Sequence, residues 1–308
     1  MATEAAKNLV PCVLELGGKC PFTVDQDADI NTAASKCMWA KTLNSGQVCI
    51  APDYVLVHEK RLKAFVEACQ QKLQEYFPDK DKLSPFQGMI VNKFHTERLK
   101  RCIETSGGKI ICGGQVNVEA RHVQPTIILE PKKDSELMTQ EIFGCVLPIL
   151  PFSTIKEVAE FVNSKDKPLT VYYFGTPKST NMNYLVKNTS SGHFVANDVL
   201  MQFTTSYQGF GGVGASGYGR HGGYEGFKCF SNRKGVLVKP AKTPGIMLSL
   251  MAPPYTNIDK IFRLLPTLFH YTQYELARAI AFMIFLMIAL MAFWKFYPAG
   301  KAEEVSEF

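Results

Sequence analysis

Between residue 20 and about residue 200, short apolar and β-branched runs alternate with stretches whose apolar side chains recur at helical spacing. No other feature constrains the fold as much. A strand must pair edge to edge, and an amphipathic helix must cover an apolar surface. Their alternation therefore implies an α/β layered domain with a largely parallel sheet flanked by helices. Residues 54–57 read as a strand, after which Leu62, Phe65, Val66, Cys69 and Leu73 follow helical spacing and stop before Pro78. Residues 96–106 read as a helix closed by Gly107 and Gly108, and residues 109–112 as the next strand. Thr154 and Glu157 have the spacing of a capping box that opens a helix through Val162. Residues 169–174 and 193–197 are strand-like, and no repeat or low-complexity tract is present.

At 308 residues and 46% hydrophobic, the chain buries a sizeable core as one large domain or two. The formal charge of +6 is mild and forms no basic stripe, which argues against a nucleic-acid reader. Residues 79–82 alternate Asp and Lys and read as a solvated loop. The nine cysteines form no C-x-x-C pair and no Cys/His cluster at zinc spacing, so neither a disulfide framework nor a metal site is expected. Residues 1–19 lack the apolar core of a secretory signal, which places the body of the chain in a reducing compartment. The sequon at Asn188 is then a chance match.

Residues 209–226 are glycine-rich, residues 240–254 are proline-marked and read as a linker, and residues 258–269 are amphipathic and interrupted by Pro266. Residues 279–294 carry no charged or strongly polar side chain. Sixteen helical residues span about 24 Å, short of the roughly 30 Å of a bilayer core. Extension to residues 276–297 covers that span, with Arg278 and Lys295 at the ends and Trp294, Phe296 and Tyr297 as an interfacial belt. A tail anchor or an interfacial helix is expected; a buried core helix is the alternative.

Two sites carry chemistry. A helical stretch from Ile30 runs into Asn44-Ser45-Gly46, which are turn formers, and a strand begins near Asp53. Cys49 thus sits on a tight helix-to-strand connection, where backbone N–H groups can face an oxyanion and favour a thiolate. Spacing alone favours one more buried thiol. Glu15 lies in the apolar run Val13-Leu14-Glu15-Leu16, where desolvation would tune a carboxylate towards general-base work. An edge-strand carboxylate facing water is the alternative. Gly212, Gly214 and Gly217 satisfy G-x-G-x-x-G, but neither a following helix nor an acidic residue about twenty positions on supports a dinucleotide fingerprint.

Resemblance decides between these readings. Leu14-Glu15-Leu16-Gly17-Gly18-Lys19 resembles the glutamate signature of the NAD(P)-dependent aldehyde dehydrogenases, and Asn44-Ser45-Gly46-Gln47-Val48-Cys49 resembles their cysteine signature. Gln140-Glu141-Ile142-Phe143-Gly144 is similar to their E-x-F-G element, and the segment from Phe210 to Gly217 to their C-terminal F-G-G-x-x-x-S-G element. The match runs from residue 1 to about residue 240 and, with the apolar tail, is closest to the class 3, fatty-aldehyde type. The resemblance implies that the Cys49 thiolate attacks the aldehyde, that hydride leaves to NAD or NADP, and that Glu15 activates the hydrolytic water. It also implies that Glu141 holds the nicotinamide ribose, that Phe143 lies by the ring, and that Asn44, Gly46 and Phe210 are pocket or structural positions. Lys19 is expected to be structural. Cys145 stands where the family has proline, and His193-Phe194 replaces Gly-Val.

The resemblance further implies that most of the N-terminal Rossmann-like cofactor domain lies outside this sequence, with the asparagine that completes the oxyanion hole and the lysine that contacts the cofactor. The expected organisation is a cofactor-domain remnant at 1–18, a catalytic domain at 19–205, and a glycine-rich oligomerisation region at 206–240. A linker with the amphipathic segment at 241–275, a membrane helix at 276–297 and a charged tail at 298–308 would follow. Medium- or long-chain aliphatic aldehydes are the implied substrates, with a homodimer on the cytosolic face of the endoplasmic reticulum membrane. A non-catalytic membrane-associated subunit and a cofactor-independent thiol esterase remain open.

Overall fold

The alternating apolar runs pair into one seven-stranded sheet in the computed structural model of the protein, which describes residues 1–78, 84, 86–238, 241 and 281–289. In chain order the first elements are helix α1 (Ala2–Lys7), strands β1 (Leu14–Glu15) and β2 (Pro21–Val24), helix α2 (Ile30–Thr42), strand β3 (Tyr54–His58), and helices α3 (Leu62–Tyr76) and α4 (Lys93–Glu104). Strands β4 (Lys109–Cys112), β5 (Val116–Asn117), β6 (His122–Val123) and β7 (Thr126–Leu129) follow, then helix α5 (Glu136–Thr139) and strand β8 (Val146–Phe152). Helix α6 (Ile155–Asn163), strand β9 (Thr170–Phe174), helix α7 (Thr180–Asn188), strands β10 (His193–Ala196) and β11 (Gly217–Tyr218), and helix α8 (Gly223–Cys229) complete the series.

The sheet order is β10-β9-β2-β3-β8-β7-β4. Neighbours run parallel except β4, which is antiparallel to β7 at one edge. Strands β2, β3 and β9 are buried at every position because both faces are covered. Alternation along β3 divides the layers: Val55 and Val57 pack with Ala33, Cys37, Phe65 and Cys69 of α2 and α3. Tyr54 and Leu56 pack on the other face with Val158, Val162 and Leu185 of α6 and α7. Side-chain caps place the helix starts. Asp29 Oδ1 accepts from Thr32 N–H at 2.7 Å and Ser179 Oγ from Met182 N–H at 3.1 Å. Asn92 Oδ1 accepts from His95 N–H at 2.9 Å, so α4 begins three residues earlier than periodicity alone implies. At α6 the Thr154 hydroxyl accepts from Glu157 N–H at 3.5 Å, while Glu157 Oε2 accepts from Ser153 N–H at 3.2 Å. The expected box therefore closes one residue further back.

Residues 1–233 form one compact unit and residues 234–308 a second. Within the second, residues 281–289 are helical and residues 282–289 are exposed. Among the described residues no helix is long and apolar enough to cross a membrane. Most of the expected 276–297 helix, the amphipathic segment, the 79–82 loop and the charged tail lie outside the described residues.

Candidate active site at the leading edge of the sheet

Because the central strands are parallel, the segments that precede them gather along one edge. Gly17 to Cys20 lead into β2, Asn44 to Asp53 into β3, and Gln140 to Cys145 into β8. Doubly wound sheets commonly bind ligands outside the carboxyl ends of their strands. At the carboxyl end of β2, however, Asp25 is already satisfied by Tyr173 Oη at 2.7 Å and Asn181 Nδ2 at 2.8 Å. The chemistry-bearing residues lie at the opposite edge.

Cys49 follows three consecutive left-handed residues, Asn44, Ser45 and Gly46, with φ of 51°, 55° and 76°. Such conformations cost about 1–2 kcal/mol each outside glycine, so the turn must be held by its surroundings. Asn44 Nδ2 donates to Gln47 O at 3.0 Å. Gln47 Nε2 donates to Met89 O at 3.0 Å, and Gln47 Oε1 accepts from Val91 N–H at 2.9 Å. A Cβ on Gly46 would lie 2.4 Å from the Gly144 carbonyl, so only glycine lets the turn meet the segment before β8. Behind the turn, the Cys20 thiol donates to Cys49 O at 3.5 Å and Tyr172 Oη to Ile50 O at 2.7 Å, with Gln202 Nε2 donating to Tyr172 Oη at 3.0 Å. These contacts draw the carbonyls towards the core.

The Cys49 thiol is half-buried. Burial pushes it above the ordinary thiol range and the Glu15 carboxylate adds to that, with Glu141 a smaller contributor; the backbone N–H groups of Cys49 and Ile50 pull the other way. The expectation of a thiolate-favouring turn is thus half met. The donors are present, but burial and two carboxylates outweigh them.

Glu15 pairs across β1 and β11 with Gly217. A Cβ on Gly217 would lie 2.1 Å from Leu14 O, so the two strands meet only because glycine stands there. The Glu15 side chain is 34% exposed, with Oε2 3.5 Å from His221 Nε2. The desolvated setting expected for Glu15 is not found; it sits at the rim of a two-residue strand with an imidazole beside it. Phe210 is buried and exchanges backbone hydrogen bonds with His221 at 2.7 and 2.8 Å. Its ring stacks on His193 at 4.8 Å. Burial, with a smaller contribution from Arg220, lowers His193 to about 4, so its neutral ring accepts from Gly211 N–H at 3.2 Å.

The Glu141 carboxylate lies against Gly17, where a Cβ would come within 2.3 Å of both its oxygens. Burial raises Glu141, opposed chiefly by a hydrogen bond from the Gly18 backbone. Lys19 is structural as expected: it forms a buried ion pair with Asp53 and donates to Leu137 O and Gln140 O, both at 2.8 Å. Asp53 Oδ1 accepts from Ile142 N–H at 2.8 Å, while Arg98 donates to Glu141 O at 3.2 Å and Ile142 O at 2.5 Å. Lys41 is also buried; burial lowers it, and Asp53 opposes the shift. Phe143, with φ of 45° and 42% exposed, lines a cleft of about 910 Å³ with Gln47, His95, Arg98 and Glu141.

Cys49, Glu15, Glu141 and Phe143 are therefore brought to one edge, with Asn44 and Gly46 shaping the turn and Phe210 bracing the strand beyond Glu15. Asp53, Arg98, Lys41 and His221 were not foreseen. A carboxylate opening the buried run at residues 54–58 was the available signal for Asp53, since a motif lysine elsewhere needed a partner. The glycines at 212, 214 and 217 open no dinucleotide helix: Gly214–Ser216 is a single 3-10 turn leading into β11.

The fold and site define an α/β protein that gathers a half-buried thiol and two carboxylates at the leading edge of a largely parallel sheet. The aldehyde dehydrogenase family model matches residues 1–236. A probable coniferyl aldehyde dehydrogenase of Caulobacter vibrioides is 40% identical over 260 residues, covering 82% of this chain and 53% of that protein. Aldehyde dehydrogenase family 3 member B1 of Rattus norvegicus is 38% identical over 255 residues, covering 82% and 53%. The substrate-bound AldH of Staphylococcus aureus superposes with a TM-score of 0.73 at 33% identity, covering 86% of this chain and 57% of its own. The chain belongs to the aldehyde dehydrogenase family, whose members use NAD or NADP, and it spans about half the length of the curated relatives it matches.

Proposed function

We propose that the chain carries the acyl-transfer side of an aldehyde-oxidising site, with Cys49 as nucleophile and Glu15 as the base that activates water. The observation that carries this reading is that Glu15 and Glu141 both lie close enough to Cys49 for their charges to act on its thiol. The Cys49 sulfur adds to the aldehyde carbon, and the backbone N–H groups of Cys49 and Ile50 face the charge that develops. Glu141, seated on Gly17, and Phe143, on the cleft wall, fit the nicotinamide end of NAD or NADP. Those residues would hold the nicotinamide, which when bound would supply the hydride acceptor that the Cys49 adduct needs to become a thioester. Glu15 then takes a proton from the water that releases the acid.

The proposed substrates are medium- or long-chain aliphatic aldehydes, supported by the class 3 relatives and the apolar residues 279–294. A homodimer held by residues 276–297 on the cytosolic face of the endoplasmic reticulum membrane completes the proposal. The test is aldehyde-dependent NADH formation by the purified chain, with cofactor binding followed by calorimetry. No NADH and no binding heat would remove hydride transfer from this chain. An ester-derived acyl adduct found by mass spectrometry and lost in Cys49→Ser would preserve the acyl-transfer core, and an adduct surviving Cys49→Ser would remove Cys49 from it.

A further inference from the structure

The contact between His221 and Glu15 is used by none of the steps above. Glu15 stands on β1 and His221 just beyond β11, in segments 206 residues apart that meet through the Glu15–Gly217 pairing. His221 is fixed twice by Phe210, through the two backbone hydrogen bonds and through a ring contact of 5.5 Å at 61°. Its Nε2 is thereby held 3.5 Å from Glu15 Oε2, on a ring 37% exposed. The other charged groups on the packed elements are engaged elsewhere. Arg220 donates to Gly209 O at 3.0 Å and Gly192 O at 3.1 Å, while Glu225 and Lys228 of α8 pair at 2.8 Å. His193, across the Phe210 ring, is neutral and accepts from Gly211 N–H at 3.2 Å. Toward Glu15, His221 is therefore an imidazole with one nitrogen 3.5 Å from a carboxylate oxygen and a partly exposed ring.

We propose that His221 is a positioning and proton-relay residue for Glu15, accepting at Nε2 the proton that the carboxylate removes from the hydrolytic water. This rests on the proposed acyl-transfer reading. The water oxygen adds to the acyl carbon on Cys49, and one water proton goes to a Glu15 oxygen. The C–S bond breaks with its electron pair on sulfur, releasing the acid and the Cys49 thiolate. The proton on Glu15 passes to His221 Nε2 and leaves from the ring to solvent, so Glu15 is again a carboxylate for the next turnover.

The test uses the full chain acylated with p-nitrophenyl acetate, following gain and loss of the Cys49 adduct by mass spectrometry across pH. His221→Gln is expected to leave acylation unchanged and to slow deacylation about tenfold, less than the 10²- to 10⁴-fold typical of a direct general base. The slowing should disappear in a Glu15→Gln background, because the relay acts only through Glu15. Equal deacylation rates in wild type and His221→Gln, or the same slowing without Glu15, would overturn the relay. If no adduct forms at Cys49, the acyl-transfer reading fails instead. The NMR chemical shifts of the His221 ring then still decide the contact: they must change when Glu15 is replaced by Gln, and unchanged ring shifts end the proposal.

Discussion

Cys49 and His193 each carry a pH dependence that the packing imposes. Burial and the Glu15 carboxylate both disfavour the Cys49 thiolate, so the thiol ionises at higher pH than a free cysteine. Removing the Glu15 charge removes part of that penalty. Glu15→Gln should therefore move the pH midpoint of Cys49 alkylation downwards, as read on the Cys49 peptide by mass spectrometry; an upward shift would contradict the assigned proximity. His193 is held neutral with its titration lowered to about 4, whereas in the unfolded chain it titrates near the usual value of about 6.5. The unfolded state then binds more protons between those values, so stability falls as pH drops through that window and levels off below about 4. Urea midpoints measured from pH 7 to 4 should show a shallower decline for His193→Phe than for the wild type, which keeps the stack on Phe210 without the titrating ring.

At the scale of elements, the turn between α2 and β3 does the most to place Cys49, the proposed nucleophile. Its three left-handed residues are compatible with the sequence Asn44-Ser45-Gly46 only in part, since asparagine tolerates the region and glycine is free in it, while serine must be held there. Gly46→Ala would add both a strained φ and a methyl group 2.4 Å from the Gly144 carbonyl, a backbone neighbour that cannot swing away. A loss of about 2–4 kcal/mol in unfolding free energy is expected, measured by urea denaturation, together with slower Cys49 alkylation as the turn shifts. Lys19 and Asp53 act on the same scale. The pair ties the segment before β2 to the segment before β3, and its remaining hydrogen bonds hold the Glu141–Phe143 stretch.

At the scale of the molecule, parallel strand order assembles the site. Six strands pointing one way bring their leading segments together, so residues 15, 49 and 141 become neighbours although no local interaction links them. The cleft beside them is open and carries the exposed Val91 and Phe143 on its wall. The proposed membrane attachment belongs to this scale as well. Deleting residues 276–308 should move the protein from the membrane pellet to the supernatant on fractionation at high salt, and unchanged pelleting would refute the anchor.

Much of this was legible in the sequence because it rests on local periodicity or contiguous signatures. The strands at 54–58, 109–112 and 170–174 and the helix from Leu62 follow from apolar spacing that a backbone of fixed repeat must express. Cys49, Glu15, Glu141 and Phe143 stand in short motifs whose residues are adjacent in the chain. What the sequence could not disclose depends on which strands lie side by side. Asp53 meets Lys19 and Ile142, Arg98 meets Glu141, and His221 meets Glu15 only after the sheet order and the β1–β11 pairing are set. The electrostatic environment of Cys49 was equally hidden. The sequence placed Cys49 on a tight turn where backbone donors can act, but the desolvation and the two carboxylates that outweigh them exist only in the packed chain. Local periodicity determined the elements and contiguous motifs marked the candidate site residues; long-range pairing and burial decided their neighbours, because a side chain's field and solvation are properties of what surrounds it in space.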